Sequence, residues 1–522
     1  MPADPVADEV FRHLFASIAE EMGVTLERTA FSPNIKERRD HSCAIFDAAG
    51  RLLAQAEHIP VHLGAFPILM AHLVPRFRWR PGDAVICNDP FVGGTHLPDI
   101  SLVSPVFTAS RRLVGFVANR AHHADVGGAS PGSLSATTEI YQEGVIIPPL
   151  RLLERGRLNE ELLELICRNV RTPRERRGDF DAQLAANETG LRRFGELLER
   201  YGAAQLRARA AAARRRTARA VERVIAGLPA GTLRFEDVLD DDGRGSGPLP
   251  VRVSVERSGR GVVVDFTGTA AQQPGSVNAP FAVTCSAVYY SLICLLPRHV
   301  ELNQGALEPI RIVAPEGSLV NPRPPASVAA GNVETSQRIT DVVLGALAQA
   351  FPDRLPAASQ GTMNNLTLGG IDPRHGEPWA YYETLGGGAG AGPGRDAVSG
   401  IHCHMSNTRN TPAEALEYHY PLRVRRYALR EGSGGEGRHR GGDGVVRELE
   451  ATGSARAVLI GERRDRAPYG LQGGGPGSRG RNRVCRDGKW RDLPGKAEVS
   501  LAPGDRLSIE TPGGGGWGEP SS

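Results

Sequence analysis

A run of about seventy residues near the middle of the chain restricts the fold more than any other feature. Residues 159–228 are rich in Ala, Arg, Leu and Glu, which favour helices, and include "LRARAAAARRRTARAVERVIAG". A cluster of turn residues follows in "DVLDDDGRGSGPLP", at 237–250. The pattern predicts three parts: an N-terminal α/β domain over 1–158, a helical segment over 159–236, and a C-terminal domain over 237–522.

The parts on either side of this segment carry helix and strand patterns. Apolar residues recur at helical spacing over 5–29, whereas "DHSCAIFDAAGRLLAQAEHIPVHLG" predicts two strands around the "AAG" turn, followed by histidines. Further strand candidates are "AVIC", "SLVSPVF" and "LVGFVANRAHH". Later, "VRVSVERSGRGVVVDFTGT" alternates as a β-hairpin, and glycine-rich stretches such as "TPGGGGWGEP" lie between strand-like segments. We therefore expect an α+β fold, a large mixed α/β multi-domain subunit with a β-rich, glycine-rich C-terminal part.

The charge balance bears on the class of partner. The 62 basic and 59 acidic side chains give a net charge of only +3 over 522 residues. A nucleic-acid-binding protein usually carries a clear basic excess. The Arg-rich helix could face nucleic acid or an acidic membrane, but the glutamates along it favour a solvated helix. We expect no nucleic-acid partner.

Several features predict a cytoplasmic protein. The N-terminus "MPADPVADEVFRHLFASIAEEMG" lacks the basic and apolar regions of a signal peptide, and the most apolar stretch, "FAVTCSAVYYSLICLL", is too short to span a membrane. The seven cysteines are scattered without a CxxC pair, which argues against a disulfide framework or a zinc ribbon. We expect no membrane association.

Two histidine-containing loops carry the clearest candidate chemistry. His96 and Asp99 lie three residues apart in "CNDPFVGGTHLPDI", and His122, His123 and Asp125 follow in "NRAHHADVGG". Two imidazoles and a carboxylate are a common ligand set for Zn, Mn or Fe, with positions left open for water or substrate. The alternative is two polar loops with unrelated histidines, since no strict zinc motif is present.

Glycine pairs accompany both loops: Gly93 with Gly94, and Gly127 with Gly128. Because glycine has no Cβ, we interpret these pairs as room for a metal centre with bound substrate. A phosphate-loop interpretation fails because no G-x-x-x-x-G-K-[ST] sequence occurs. If ATP takes part in the reaction, another chain is expected to bind it.

Other polar residues have two interpretations each. On a strand His402 and His404 would share a face, either as a metal pair or as the edge of a substrate pocket with Asn407 and Asn410. Three acids are candidate proton carriers or partners of a metal ligand, although a solvated position is the more ordinary role for each: Asp40, Glu139 and Glu143.

Long blocks resemble the hydantoinase B / 5-oxoprolinase family over nearly the whole chain. They include "SPNIKERRDHSCAIFDAAGRLLAQAEHIPVHLG", "GDAVICNDPFVGGTHLPDISLVSPVF", "NRAHHADVGGASPGS", "TEIYQEGVIIPP" and "VETSQRITDVVLGALAQAFPDR". The resemblance implies a hetero-oligomer in which an A-type subunit uses ATP to phosphorylate the carbonyl oxygen of a lactam, imide or ketone. It implies that this chain is the B subunit, which opens a cyclic amide ring with a metal-bound water.

The same resemblance implies roles for individual residues. In acetone carboxylase relatives a divalent metal is held by a His, an Asp three residues on and a further His, which here are His96, Asp99 and one of His122 or His123. The spacing does not decide between the last two, and we prefer His122. The residues assigned to catalysis are His123, Asp125, Glu143 and Lys36. The residues assigned to substrate binding are Arg38, Arg39, Asn88, Asp89 and Asn407, the arginines because a guanidinium suits bidentate contact with phosphate.

Two rival functions share these motifs. A ketone carboxylase subunit of the acetone carboxylase type would use the same metal to stabilise an enolate. A non-catalytic scaffold would only stabilise the A-type partner. The histidines argue against a scaffold, and metal analysis would test that alternative.

Overall fold

The computed structural model describes residues 5–56, 59–300 and 302–520. Its helices are α1 Pro5–Thr29, α2 Pro33–Lys36, α3 Ala65–Arg76, α4 Glu160–Arg168, α5 Pro173–Ala226, α6 Phe281–Ile293, α7 Ser336–Ala348 and α8 Ala413–His419. Its strands are β1 His41–Asp47, β2 Leu52–Gln55, β3 Ala84–Cys87, β4 Asp99–Phe107, β5 Leu113–His122, β6 Leu150–Glu154, β7 Arg157–Leu158, β8 Thr232–Leu239, β9 Leu249–Ser258, β10 Gly261–Asp265, β11 Ile310–Val313, β12 Asn365–Ile371, β13 Pro378–Glu383, β14 Leu422–Arg430, β15 Gly444–Ala451, β16 Ala455–Ile460, β17 Arg481–Arg486, β18 Lys489–Leu493, β19 Lys496–Leu501 and β20 Arg506–Glu510. His58, one of the histidines expected after the first hairpin, lies outside the described residues.

The strands of the described residues form four sheets. A seven-stranded sheet has the order β2-β1-β5-β4-β3-β6-β7, and the next has the order β11-β10-β9-β8. The other two have the orders β13-β12-β16-β19 and β14-β15-β20-β17-β18. This arrangement confirms the predicted α+β class and the β-rich C-terminal part.

Helices cover both faces of the seven-stranded sheet. Successive side chains of a strand point to opposite faces, so neighbouring residues of β1 contact different helices. Cys43 and Ile45 of β1 pack with α1 and α5 in one buried cluster, whereas Ala44 and Phe46 pack with α3 in another. The Gln183 side chain on α5 donates to the Ile100 carbonyl of β4 at 2.9 Å. Polar residues at the ends of β4 and β5 are therefore enclosed by protein.

The predicted helical segment corresponds to α4 and α5. A break at Gly202, where φ is 75°, interrupts α5, and the helix ends at Ala226. Within the segment expected to be helical up to residue 236, the residues from Thr232 onward form β8, which pairs with β9 from Thr232 to Leu239. The domain bounds themselves stay a prediction. The pairing of β8 with β9, and not the turn residues between the two strands, decides the structure here.

The most apolar stretch of the sequence forms α6. Its buried residues pack with α7 and with the strands of the β11-β10-β9-β8 sheet in one apolar core. Among the described residues, no helix combines the length and the apolar character that a membrane span requires.

Candidate metal centre

The ends of two neighbouring strands bring His96, Asp99 and His122 together. Asp99 begins β4 and His122 ends β5, and the two residues are partners in the antiparallel ladder. His96 Nε2 and His122 Nδ1 are 3.1 Å apart. The Asp99 carboxylate oxygens lie 3.4 Å from His96 Nε2 and 3.2 Å from His122 Nδ1. All three residues are buried.

These separations fit a shared divalent cation. Two nitrogens bound to zinc at about 2.0–2.1 Å with a tetrahedral angle lie about 3.3 Å apart. One candidate ligand atom from each of the three residues lies within 4.8 Å of the others. Asp99 Oδ1 is buried and accepts no hydrogen bond from the described residues. A cation would therefore satisfy an oxygen whose burial is otherwise costly.

His62, which the sequence analysis did not assign, adjoins the Asp99 carboxylate. Its Nε2 lies 3.2 Å from Asp99 Oδ2, and its Nδ1 lies 2.9 Å from Ser42 Oγ on β1. The Thr95 hydroxyl also donates to Asp99 Oδ2. These contacts orient the carboxylate, as partners of metal ligands commonly do. The only signal in the sequence was the pair of histidines in "EHIPVHLG".

Burial and charge oppose each other at this group. Burial alone would raise the pKa of the Asp99 carboxyl, but His96, His62 and His122 hold that pKa well below its ordinary value. Burial lowers the pKa of His122 and of His62. Both directions favour a carboxylate at Asp99 and deprotonated imidazoles at His62 and His122, and these are the states in which such side chains bind metals.

Asp40 lies next to this group. Burial raises the pKa of its carboxyl, and His122 and Arg38 partly oppose that effect. The Asp40 carbonyl accepts the His122 backbone N–H at 3.0 Å. Asp40 is thus a buried neighbour of the site, whereas a solvated surface position was the more ordinary expectation for it.

His123 lies on the opposite face of the sheet. Its Nε2 lies 3.0 Å from Gln183 Oε1 on α5, and its ring contacts Phe180 with centroids 4.7 Å apart. Burial, reinforced by Arg176, lowers the pKa of His123 to about 4. Strand alternation thus separates the two alternatives that spacing left open, since His122 joins His96 while His123 packs against α5.

Asp125 and Glu143, both assigned to catalysis, hold loops together. Asp125 forms an ion pair with Arg171 at 2.9 Å and accepts backbone N–H groups of its own loop. One oxygen of Glu143 accepts the N–H groups of Val328 at 2.7 Å and Ala329 at 3.0 Å. Burial raises the pKa of Glu143 despite these donors. The structure does not bring either carboxylate into the group formed by the two histidines and Asp99.

The three basic residues assigned beside the site have different surroundings. Arg38 is fully buried and donates to the Tyr382 carbonyl at 2.8 Å. Lys36 is exposed, and Arg39 pairs with Glu27 at 2.8 Å. Of the three, only Arg38 links the site region to the C-terminal half.

The residues assigned to substrate binding are also divided. Asn88 bridges two loops, since its Oδ1 accepts the Ile147 N–H at 2.6 Å and its Nδ2 donates to the Leu97 carbonyl at 2.8 Å. Asp89 caps the short turn after it by accepting the Phe91 N–H at 3.0 Å. Asn407 is exposed and lines a cavity.

This cavity, of about 510 Å³, adjoins the turn that carries His62. Ile59, Pro60 and Leu63 of this turn form part of its wall, and His402, Cys403 and His404 form another part. Burial lowers the pKa of His402 and of His404 to about 4, so both imidazoles are neutral. Among the described residues His402 and His404 do not belong to a cluster able to hold an ion, so they form the edge of a pocket.

The glycine pairs make room for protein backbone and not for a ligand, so our interpretation of them was wrong. The atoms nearest to a Cβ placed on Gly93, Gly94, Gly127 and Gly128 are, in order, Leu69 N at 2.4 Å, Asp89 O at 2.6 Å, Asn169 O at 2.4 Å and Gln142 O at 2.6 Å. Each distance is too short for a side chain. The glycines act indirectly, by letting the loops that carry the histidines pack closely against their neighbours.

Comparisons with known proteins agree with one another. The sequence model for hydantoinase B/oxoprolinase matches residues 4–520. The chain is 42% identical to 5-oxoprolinase 1 of Arabidopsis thaliana over 99% of its own length, but it spans only 42% of that protein. It is 30% identical to the putative B-type subunit of a D-/L-hydantoinase from Pseudomonas sp. (strain NS671), covering 99% of this chain and 90% of that protein. The crystal structure of ATP-dependent caprolactamase from Pseudomonas jessenii has a TM-score of 0.93 at 30% identity, covering 99% of this chain and 92% of that chain.

Proposed function

The chain belongs to the hydantoinase B/oxoprolinase family, and we propose that it is the hydrolytic B subunit of an ATP-dependent enzyme that opens a cyclic amide ring. An A-type partner binds ATP and phosphorylates the ring carbonyl, and this chain completes the hydrolysis. The observation that carries the proposal is the buried group of His96, Asp99 and His122. The names of the oxoprolinase and hydantoinase relatives and of the similar caprolactamase support a cyclic amide substrate.

The division of labour follows from the chemistry of the amide bond. Amide resonance makes a lactam carbon a poor electrophile, and phosphorylation of its oxygen converts that oxygen into a leaving group. The chain carries no phosphate-binding loop sequence, which fits a role after the ATP-dependent step.

Residues of this chain would supply the metal ligands and the contacts that hold those ligands in position. His96, Asp99 and His122 would hold a divalent cation, which when bound supplies a Lewis acid and lowers the pKa of water. His62 and Thr95 keep the Asp99 carboxylate in place through its Oδ2 atom. Burial keeps the His122 imidazole deprotonated and excludes bulk water, so interactions between charges are stronger than at the surface.

The neighbouring cavity has the character of a site for a small polar ring. Its volume of about 510 Å³ is within the usual range of about 300–1,000 Å³ for ligand pockets. Ile59 and Leu63 offer apolar contact to ring carbons, and the neutral imidazoles of His402 and His404 can donate to a carbonyl or accept from an amide N–H. Asn407 would add an amide at the rim.

Metal analysis and ring opening test the proposal together. The chain, purified with its A-type partner, would be assayed for bound metal by mass spectrometry and for ATP-dependent opening of caprolactam, hydantoin and 5-oxoproline. His96→Ala and His122→Ala should lose both metal and activity. His123→Asn is the matched control, since it changes the adjacent imidazole on the opposite face, and it should keep its metal.

Two outcomes would contradict the proposal. The first is full metal content with normal turnover in His96→Ala, which would remove the site. The second is robust ATP hydrolysis by this chain without a partner, which would contradict the division of labour.

A further inference from the structure

His122 lacks the hydrogen bond that usually orients a metal-binding histidine. Such a histidine commonly donates its second ring N–H to a carboxylate, a carbonyl or water, which fixes the ring. The Nε2 atom of His122 is buried and has no hydrogen-bond partner among the described residues. Apart from the contacts of Nδ1 with His96 and Asp99, the orientation of this imidazole therefore depends on contacts with its ring face.

Tyr382, on β13 in the C-terminal half, provides that contact. The Tyr382 and His122 rings are stacked, with centroids 4.6 Å apart and an angle of 17° between the planes. Both side chains are almost completely buried. Rotation of the imidazole about its Cβ–Cγ bond would break this stacking, so the position of the tyrosine ring limits the position of Nδ1.

The tyrosine ring is fixed in turn by hydrogen bonds that end on Glu334. The Tyr382 hydroxyl donates to Asn365 Oδ1 at 3.0 Å. Asn365 Nδ2 donates to Glu334 Oε1 at 2.7 Å and to the Ile460 carbonyl at 2.9 Å. The Met363 N–H also donates to Glu334 Oε1, at 3.0 Å. Every group between the imidazole and the carboxyl is thus held by at least one short contact.

Glu334 occupies an unusual place in the fold. It lies in a π-helical turn, Gly331–Thr335, directly before α7. Turns of this kind are rare and are frequent at functional sites. Glu334 is completely buried, its Oε2 has no hydrogen-bond partner among the described residues, and burial raises its pKa to about 8. A buried acid is costly to maintain, and such groups are concentrated at functional sites.

We propose that Tyr382, Asn365 and Glu334 form a positioning chain that fixes the His122 imidazole from the C-terminal half of the molecule. These are positioning residues, because they act through His122 and not on a substrate. The inference rests on the proposed metal site and extends it, since one ligand would be oriented by residues more than two hundred positions away in the sequence.

The test measures Zn²⁺ and Co²⁺ binding to the full chain. Tyr382→Phe keeps the stacked ring but removes the hydroxyl that anchors it, and we expect about 10-fold weaker Zn²⁺ binding, the lower end of the effect usual for partners of metal ligands. The visible absorption spectrum of bound Co²⁺ should change as well, because the ligand geometry changes.

Tyr381→Phe is the matched control for this variant. Tyr381 is the preceding residue of β13, so its side chain points to the other side of the strand. Its hydroxyl is also buried and donates to a carboxylate, Glu383 Oε2, at 2.9 Å. The control therefore loses a similar hydrogen bond away from His122 and should keep wild-type Zn²⁺ affinity.

Glu334 variants test the far end of the chain. Glu334→Ala should weaken Zn²⁺ binding about 10- to 100-fold. Glu334→Gln should bind Zn²⁺ nearly as tightly as the wild type, because an amide oxygen can accept the same two N–H groups. Circular dichroism establishes whether each variant is folded. If Glu334→Ala does not fold, Tyr382→Phe still decides the question, because it removes only the hydroxyl oxygen.

The results separate this inference from the proposed function. If Tyr382→Phe binds Zn²⁺ as tightly as Tyr381→Phe, with an unchanged Co²⁺ spectrum, the positioning role is refuted while the metal site stands. If the wild-type chain binds neither ion, both proposals are overturned.

Discussion

Gly93→Ala is the substitution whose effect can be worked out most fully from the structure. Gly93 has a φ of 93°, and a Cβ there would lie 2.4 Å from the Leu69 nitrogen and 2.6 Å from Leu69 Cα. The left-handed backbone costs an L-residue about 1–2 kcal/mol, and overpacking costs a further 1–3 kcal/mol or so. Because the obstructing atoms are backbone atoms of α3, no side-chain rotation relieves the clash. We expect the free energy of unfolding to fall by about 2–5 kcal/mol.

Gly156→Ala separates the two contributions. Gly156 has a φ of 83°, but nothing lies within 4 Å of a Cβ placed there, so this variant has only the backbone cost. The assay is thermal unfolding of the metal-free protein. An unfolding entropy of about 2.1 cal/mol/K per residue corresponds to roughly 1 °C per kcal/mol for a cooperative unit as long as this chain. Gly93→Ala should therefore melt about 1–3 °C below Gly156→Ala.

The same pair of variants reports on the metal site. Gly93 lies in the loop that carries Thr95 and His96, so a loop pushed away from α3 would displace a proposed ligand. Zn²⁺ binding should weaken in Gly93→Ala and not in Gly156→Ala. Equal melting temperatures in the two variants would refute the argument that the backbone of α3 requires glycine at position 93.

The metal ligands, Arg38 and the two pocket histidines each affect the stability of the folded chain. Chelation of metal should lower the melting temperature of the wild type but not of His96→Ala, because an ion present at 100 times its dissociation constant stabilises the folded state by about 2.7 kcal/mol. Arg38→Lys should lower the free energy of unfolding by about 1–3 kcal/mol in urea titrations, because a single ammonium cannot reach both the Tyr382 carbonyl and the Thr384 hydroxyl and leaves a buried acceptor unpaired. As pH falls from about 6.5 to 4, histidines of the unfolded chain take up protons before the half-buried His402 and His404 of the folded chain, whose pKa values are about 4, so the free energy of unfolding should fall. His404→Gln should reduce that slope in urea midpoints measured across this pH range.

Much of the fold follows from local patterns in the sequence. The period of apolar residues predicted α1. Short apolar runs predicted β1 to β5, most of whose residues are buried on both faces of the sheet. The boundary near residue 236 could not be placed in this way. Turn residues at 237–250 predicted a break between two parts, but pairing with β9 extends β8 through Leu239, and such pairing is a tertiary property.

The residues of the candidate site also divide into those that local sequence patterns can group and those that only the tertiary structure brings together. His96 and Asp99 are three residues apart, so sequence alone could group them, and the alternation of β5 would have favoured His122 over His123 once Asp99 was paired with it. His62 left only a weak signal. Tyr382 and Glu334 left none, because their relation to His122 arises from two sheets meeting and not from any spacing along the chain.

The contacts of Tyr382 connect the proposed metal site to the C-terminal half of the chain. The domain boundaries remain a prediction, and under them all three proposed ligands belong to residues 1–158. Yet Arg38, from that part, donates to the Tyr382 carbonyl and lies with Cζ 4.8 Å from the Tyr382 ring centroid, while His122 stacks on the same ring. The tyrosine therefore sits between a cation and an imidazole that both come from the N-terminal part. Docking of the C-terminal half would then be a condition for a fully ordered metal site. Without Tyr382 the His122 imidazole would keep the contacts of its Nδ1 with His96 and Asp99 but would lose the stacked ring that limits its rotation.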